Sequence, residues 1–419
     1  MHNVELAVQF LLQLAVILIV CRIVGLLAVR VGQPQVVAEM IAGVLLGPSF
    51  LGLFWPEVQQ ALFPWDSSQQ TRDTQCYLFP ASQLGLSLYM FVVGMEFRID
   101  MARAQLKSSL AVSSAGMIAP FVIGAGLGWG FFHNTKLFPE KTSLTEAMLF
   151  LGASMCITAF PMLARIIHSK GLTGTLMGTV VLGAGAMDDA TAWALLAVVL
   201  ASFEGDYSLA AKSIGGGLLY VLFAFQVVRP LLAAWRRRVH LTEESLSEGA
   251  FILGLTALVL GAWFTDLIGL HAVFGAFIMG AAMPRGTMTR DLIAGIQPLT
   301  VTLLLPLFFT YSGLNTKIGL LNTPFLWAMC GMVVLGAIVG KGLACTIAAR
   351  LSGFPNRESL AIGTLMNSRG LMELIIINIG LQRGIISESL FAILVIMAIV
   401  TTLMASPIFD RLMRSSDPV

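Results

Sequence analysis

Charge is what this chain has least of. Only 11% of its 419 residues are Asp, Glu, Lys or Arg, against about 25% in ordinary soluble domains. With 57% of the residues hydrophobic, that scarcity excludes an ordinary soluble domain. Cysteine is scarce too. Cys21, Cys76, Cys156, Cys330 and Cys345 are scattered, four of them inside apolar runs. None has metal-ligand spacing, and no disulfide framework is suggested. His133, His168 and His271 show no ligand-like spacing either. The chain carries no phosphate loop, zinc motif or nucleotide fingerprint, so no cofactor and no enzymatic activity are expected. The start, Met1-His2-Asn3-Val4-Glu5, lacks a basic region before its apolar stretch. It reads as a first span rather than a cleaved signal. A net charge of +2 gives no reason to expect a nucleic acid partner.

Long apolar runs are what the chain does have. They predict an all-α polytopic membrane protein, whose main environment is the lipid bilayer. About thirteen spans fit between residues 4 and 409. Lys and Arg test that count. With the N-terminus outside, the inside loops hold sixteen and the outside loops six, a bias that supports N-out and C-in. Opposite termini agree with an odd number of spans. Gly makes up 41 residues, above the usual share of about 7%, and small residues let helices approach closely or break.

Within the run from about Leu172 to Ser202, Asp188 and Asp189 stand side by side. Each charge at a helix centre costs about 2.5–3.5 kcal/mol to insert, so such a pair points to an ion or proton site. Neighbours on a helix project about 100° apart. One carboxylate therefore lines a path while the other reaches an adjacent helix. Lys341 is mid-span in Val339-Gly340-Lys341-Gly342. A buried ammonium needs a partner to keep its proton. Asp188 or Asp189 is the natural one; snorkelling and pairing with Glu373 are the structural alternatives.

Two spans are interrupted. The fifth, about 145–167, contains Thr158 and Pro161, and a proline inside a span removes a hydrogen bond. The twelfth, about 357–381, runs through Asn367, Ser368, Arg369, Gly370 and Glu373. Arg369 and Glu373 stand four apart and pair on one helix face. Freed backbone at membrane depth is tolerated only where it is buried or lines a cavity. Two such interruptions in corresponding halves point to a transporter site. The seven-span offset between them inverts orientation, as an inverted repeat requires. Glu39, near the start of span two, and Glu96, at the end of span three, read as interfacial residues or as the lining of a cation-attracting funnel.

Several segments resemble one family, the monovalent cation:proton antiporter-2 family. Val37-Ala38-Glu39 followed by Gly43-Val44-Leu45-Leu46-Gly47-Pro48 resembles its second-span motif, and Leu86 to Glu96 its third. Thr158 to Ile166 is similar to its crossing helix, and Asp188-Asp189-Ala190-Thr191-Ala192-Trp193 to its ion-site helix. Gly363 to Leu374 is similar to the cation/proton-exchanger branch. The resemblance implies the sodium/proton antiporter fold, with inverted repeats, two crossed discontinuous helices and a homodimer. It divides the chain into dimerisation helices over 1–103, a first core half over 104–205 and a linker helix over 206–240. Further dimerisation helices follow over 241–320, and a second core half over 321–419. Asp188 departs from the Asn of many branch members and matches electrogenic sodium/proton exchangers.

Exchange of Na+ or K+ for protons follows as the expected function, in a plasma, inner or internal membrane. Asp189 would hold the cation. Asp188 would pair with Lys341 when the cation is absent. Thr158 and broken-helix carbonyls would complete an oxygen shell for a hard monovalent cation. If Asp189 and Lys341 both lose protons on cation binding, exchange is two for one and electrogenic. Pro161, Asn367, Ser368, Arg369 and Glu373 would support the broken helices. Three other readings remain open at this point: a sodium-coupled solute symporter, a channel or receptor scaffold, and an intramembrane aspartyl protease. The last would need two acids facing each other at about 3 Å.

Overall fold

The computed structural model describes every residue except 1, 31–32, 34, 64–68, 98–103, 135–136, 205–207, 240–247, 315–320, 322, 370–372, 374–375, 378–379, 382 and 415–419. The described residues form helices and their connections. Nine of these helices are long and apolar enough to cross a membrane.

In chain order the helices begin with α1 (His2–Arg30), α2 (Gln35–Leu46), α3 (Leu51–Phe54), α4 (Pro56–Leu62) and α5 (Gln69–Glu96). Next come α6 (Leu106–Asn134), α7 (Leu144–Cys156), α8 (Phe160–Ser169) and α9 (Leu176–Glu204). Helices α10 (Ser208–Phe223) and α11 (Arg229–Val239) are followed by α12 (Glu248–Leu267) and α13 (Ala272–Ala282). The rest are α14 (Thr287–Leu299), α15 (Leu305–Leu314), α16 (Pro324–Ala337), α17 (Ala344–Leu351), α18 (Asn356–Met366) and α19 (Glu388–Arg414).

The expected spans five and twelve are both broken. The fifth divides into α7 and α8, with 157–159 non-helical between them, and the twelfth leaves its first helix, α18, at Met366. The expected ninth span is the short helix α13. Helix α1 leaves Val8 63%, Leu11 61% and Ile19 59% exposed. A continuous apolar surface of that kind is the one a bilayer covers.

Among the described residues three π-helical turns interrupt the longer helices, at Ala224–Val228, Thr300–Leu304 and Ile338–Leu343. Pro230 and Pro306 follow the first two closely, and each proline withholds one helical hydrogen bond. The third holds Lys341 and has no proline beside it. There Gly340 lies so close to α6 that a Cβ would stand 3.0 Å from the Cα of Pro120.

The residues cluster into two compact units. One comprises Met1–Leu78, Asp100–Ala192 and Phe309–Val419; the other comprises Phe79–Ile99 and Trp193–Phe308. In the first, α6 and α7 meet at glycines. A Cβ on Gly124 would lie 2.8 Å from the Cα of Gly152, and one on Gly128 would lie 2.8 Å from the carbonyl of Ala147. Small residues four apart allow this backbone approach. In the second, α12 and α13 cross with Gly261 and Gly275 in contact, and the Tyr220 hydroxyl donates to the Gly275 carbonyl at 2.8 Å.

Candidate functional site

The first unit contains the site, built around the end of α7. That helix starts with a reciprocal cap, in which Ser143 and Glu146 bond each other's backbone N–H, a stabilising start to a helix. It ends at Cys156, where Ile157 turns extended at φ −70°, ψ 139°. Pro161 occupies the first turn of α8, where a missing N–H removes no helical bond. Its side chain lies outside those described. The last carbonyls of α7 are thereby left without helical partners, and they form the negative end of the helix dipole.

Two cations meet those carbonyls. Lys341 Nζ donates to the Cys156 carbonyl at 2.5 Å, to the Gly116 carbonyl at 2.9 Å and to Asp188 Oδ2 at 2.9 Å. An ammonium has three N–H donors, so all three are used. Arg369 donates through Nη1 to the Ser154 carbonyl at 3.3 Å and through Nη2 to the Met155 carbonyl. Both side chains are fully buried. An unpaired charge in such a place costs several kcal/mol or more, which explains why every cation here has an acceptor.

Asp188 is tied from three elements. Besides Lys341, Ser113 Oγ on α6 donates to its Oδ1 at 2.7 Å, and Thr158 Oγ1, in the break, donates to its Oδ2 at 2.6 Å. Thr158 therefore bonds Asp188 rather than Asp189. Asp189 follows on the same helix and is 2% exposed. Its Oδ2 is buried without a hydrogen-bond partner.

The second break closes locally. The Asn367 N–H donates to the Gly363 carbonyl, and both the N–H and the hydroxyl of Ser368 donate to the Leu365 carbonyl. The Thr402 hydroxyl holds the Arg369 carbonyl from α19. Arg369 Nη1 lies 3.5 Å from Glu373 Oε1, as the four-residue spacing predicts. The larger use of Arg369, as a cap for α7, has no signature in its own segment.

Glu39 makes its contact away from Asp188 and Lys341. Glu39, read as interfacial or as funnel lining, is 1% exposed and lies 3.9 Å from Arg165 of α8. Arg165 belongs to α8, within the expected fifth span. Glu96 ends α5 in the second unit. Sequence reading missed Ser113, a hydroxyl in an apolar helix with nothing local to mark it, and the carbonyls of Gly116 and Cys156, which carry no residue identity.

The chain matches the family described as "Sodium/hydrogen exchanger, transmembrane" over residues 15–414. This chain belongs to the sodium/hydrogen exchanger family. It is an integral, multi-pass membrane protein. It is 40% identical over 404 residues to the Na(+)/H(+) antiporter NhaS4 of Synechocystis sp., covering 96% of each chain. To the Na(+)/H(+)-K(+) antiporter GerN of Bacillus cereus it is 30% identical over 417 residues, covering 98% of this chain and 97% of that one. The chain spans only 47% of the Cation/H(+) antiporter 20 of Arabidopsis thaliana, with 33% identity. Its fold is similar to that of the sodium proton antiporter MjNhaP1 of Methanocaldococcus jannaschii, with a TM-score of 0.67, 15% identity, and coverage of 97% of this chain and 98% of that one.

In this exchanger the Ser113 hydroxyl is one of two that satisfy Asp188. Ser113→Ala leaves one carboxylate oxygen without a donor, at a cost of about 1–3 kcal/mol. Thermal unfolding in detergent is expected at a lower temperature than for the parent. An unchanged midpoint would show that this bond contributes nothing.

Proposed function

We propose that the protein exchanges Na+ or K+ for protons across its membrane by alternating access. One observation carries this reading: a buried aspartate oxygen without a partner, on Asp189, beside an aspartate already neutralised by lysine. A monovalent cation entering there meets one uncommitted negative charge. Protons compete for that same charge, so either load neutralises it. The non-helical residues 157–159 touch Asp188 through the Thr158 hydroxyl, and their backbone oxygens are of the kind suited to a hard cation. The antiporter names of its relatives support the same exchange.

Asp189 is the cation ligand in this proposal. Asp188 and Lys341 form the fixed pair beside it, and Thr158 orients Asp188. Pro161, Asn367, Ser368 and Arg369 maintain the two breaks, and Glu39 and Glu96 stay candidates for attracting cations. The thirteen-span, N-out and C-in arrangement with crossed inverted repeats belongs to this proposal, as do the homodimer and the division into dimerisation and mobile core segments. Two protons per cation would make the exchange electrogenic, as the double aspartate suggests.

Proteoliposomes with a preset inward-acid pH gradient and a trapped pH dye test the proposal. Adding NaCl or KCl outside is expected to dissipate the gradient, and the more effective salt identifies the preferred cation. A gradient indifferent to every alkali cation, with correctly inserted protein, overturns the exchange reading.

A further inference from the structure

Beside Asp188, Asp189, Lys341 and Arg369, one more buried charge belongs to the site. Glu373 is fully buried. Neither of its carboxylate oxygens has a hydrogen-bond partner. Arg369 is close, at 3.5 Å from Nη1 to Oε1, a long contact from a guanidinium whose shorter bonds go to the Ser154 and Met155 carbonyls. The charges acting on Glu373 are Arg369 from its own segment and Lys341 from the π-helical turn. The buried cluster therefore holds three acids, Asp188, Asp189 and Glu373, against two cations.

Lys341 is poorly placed to give up a proton. Its three N–H groups meet three acceptors, the Gly116 and Cys156 carbonyls and Asp188. Losing one proton would orphan one of those acceptors, and a buried orphan is destabilising. Glu373 is in the opposite situation. As an anion it has the long 3.5 Å approach of Arg369 with neither oxygen in a hydrogen bond, and burying so weakly paired a carboxylate costs more than burying a neutral acid.

We infer that Glu373 is a second proton-carrying carboxylate of the exchanger, and that Lys341 stays an ammonium throughout the cycle. This rests on the exchange reading above. In the proton-loaded form, Asp189 and Glu373 each hold an O–H. When the cation reaches Asp189, both O–H bonds break and both protons leave to water on the open side. Arg369 then faces an ionised Glu373, and the cation faces an ionised Asp189. One positive charge enters, two leave, and no redox partner is needed.

The test uses the full chain in weakly buffered detergent with a pH indicator. NaCl or KCl is added and the protons released per cation bound are counted. The wild type is expected to release about two protons and Glu373→Gln about one. About one proton from the wild type, or about two from Glu373→Gln, overturns the assignment and leaves exchange at Asp189 standing. No cation binding and no release from the wild type overturns both.

Infrared difference spectroscopy on wild type labelled with 13C-glutamate needs no variant to fold. A neutral carboxyl band that shifts with the label and disappears on cation addition is expected. It should persist in Glu39→Gln and be missing from Glu373→Gln. No labelled band in the wild type, or its loss in Glu39→Gln alone, assigns the proton elsewhere and overturns the inference.

Discussion

Asp189→Asn is expected to reduce cation/proton exchange in proteoliposomes to the level of protein-free vesicles. Asn keeps nearly the same shape but holds neither a charge nor an exchangeable proton. A bare monovalent cation moved into a low-dielectric interior faces a Born cost of tens of kcal/mol without a counter-charge. Asp188 cannot replace it, because its oxygens are held by Ser113, Thr158 and Lys341. Even a loss of about 3 kcal/mol in binding lowers flux about 100-fold. Folding should survive, since an uncompensated buried carboxylate has been exchanged for a neutral amide. An unfolding midpoint at or above the parent value, together with lost exchange, is the expected pair of results. Exchange retained at the parent rate in Asp189→Asn would reject this residue as the cation ligand.

Lys341→Ala is expected to have the largest effect on stability. Removing one partner of a buried ion pair leaves an uncompensated charge and typically costs about 3–5 kcal/mol. Here the Gly116 and Cys156 carbonyls lose their donor as well. The readout is the thermal midpoint in detergent, together with yield of monodisperse protein. Adding Asp188→Asn to Lys341→Ala should recover part of the loss, because the stranded charge is removed. A double variant no more stable than Lys341→Ala alone would show that the 2.9 Å contact is not where the energy lies.

Much of this site was legible before any geometry. Lys341 called for a carboxylate, with Asp188 or Asp189 as the candidates and snorkelling or Glu373 as the alternatives, and Asp188 is its partner at 2.9 Å. The breaks at Thr158–Pro161 and Asn367–Arg369 announced themselves through proline and polar residues within apolar runs. What stayed hidden has a common cause. Hydrogen bonds to backbone carbonyls depend on where a helix ends in space, so the use of Arg369 and Lys341 as a cap for α7 left no pattern. Ser113 looked like any small polar residue of a packed helix. Glu39 was misleading because position within a span does not reveal a neighbour such as Arg165, which is supplied from a segment far along the chain. The π-helical turn at Lys341 has only flanking glycines for a signal, and glycine is abundant throughout this sequence.

The Asp188–Lys341 contact joins residues 153 positions apart. At a ribosomal rate of roughly 5–20 residues per second, Lys341 is made roughly 8–30 seconds after Asp188. For that interval the nascent chain offers the insertion machinery a helix with two acids and no ammonium to neutralise either. Until the later segment arrives, that helix must wait in a watery or proteinaceous shelter, or enter the membrane with its acids protonated.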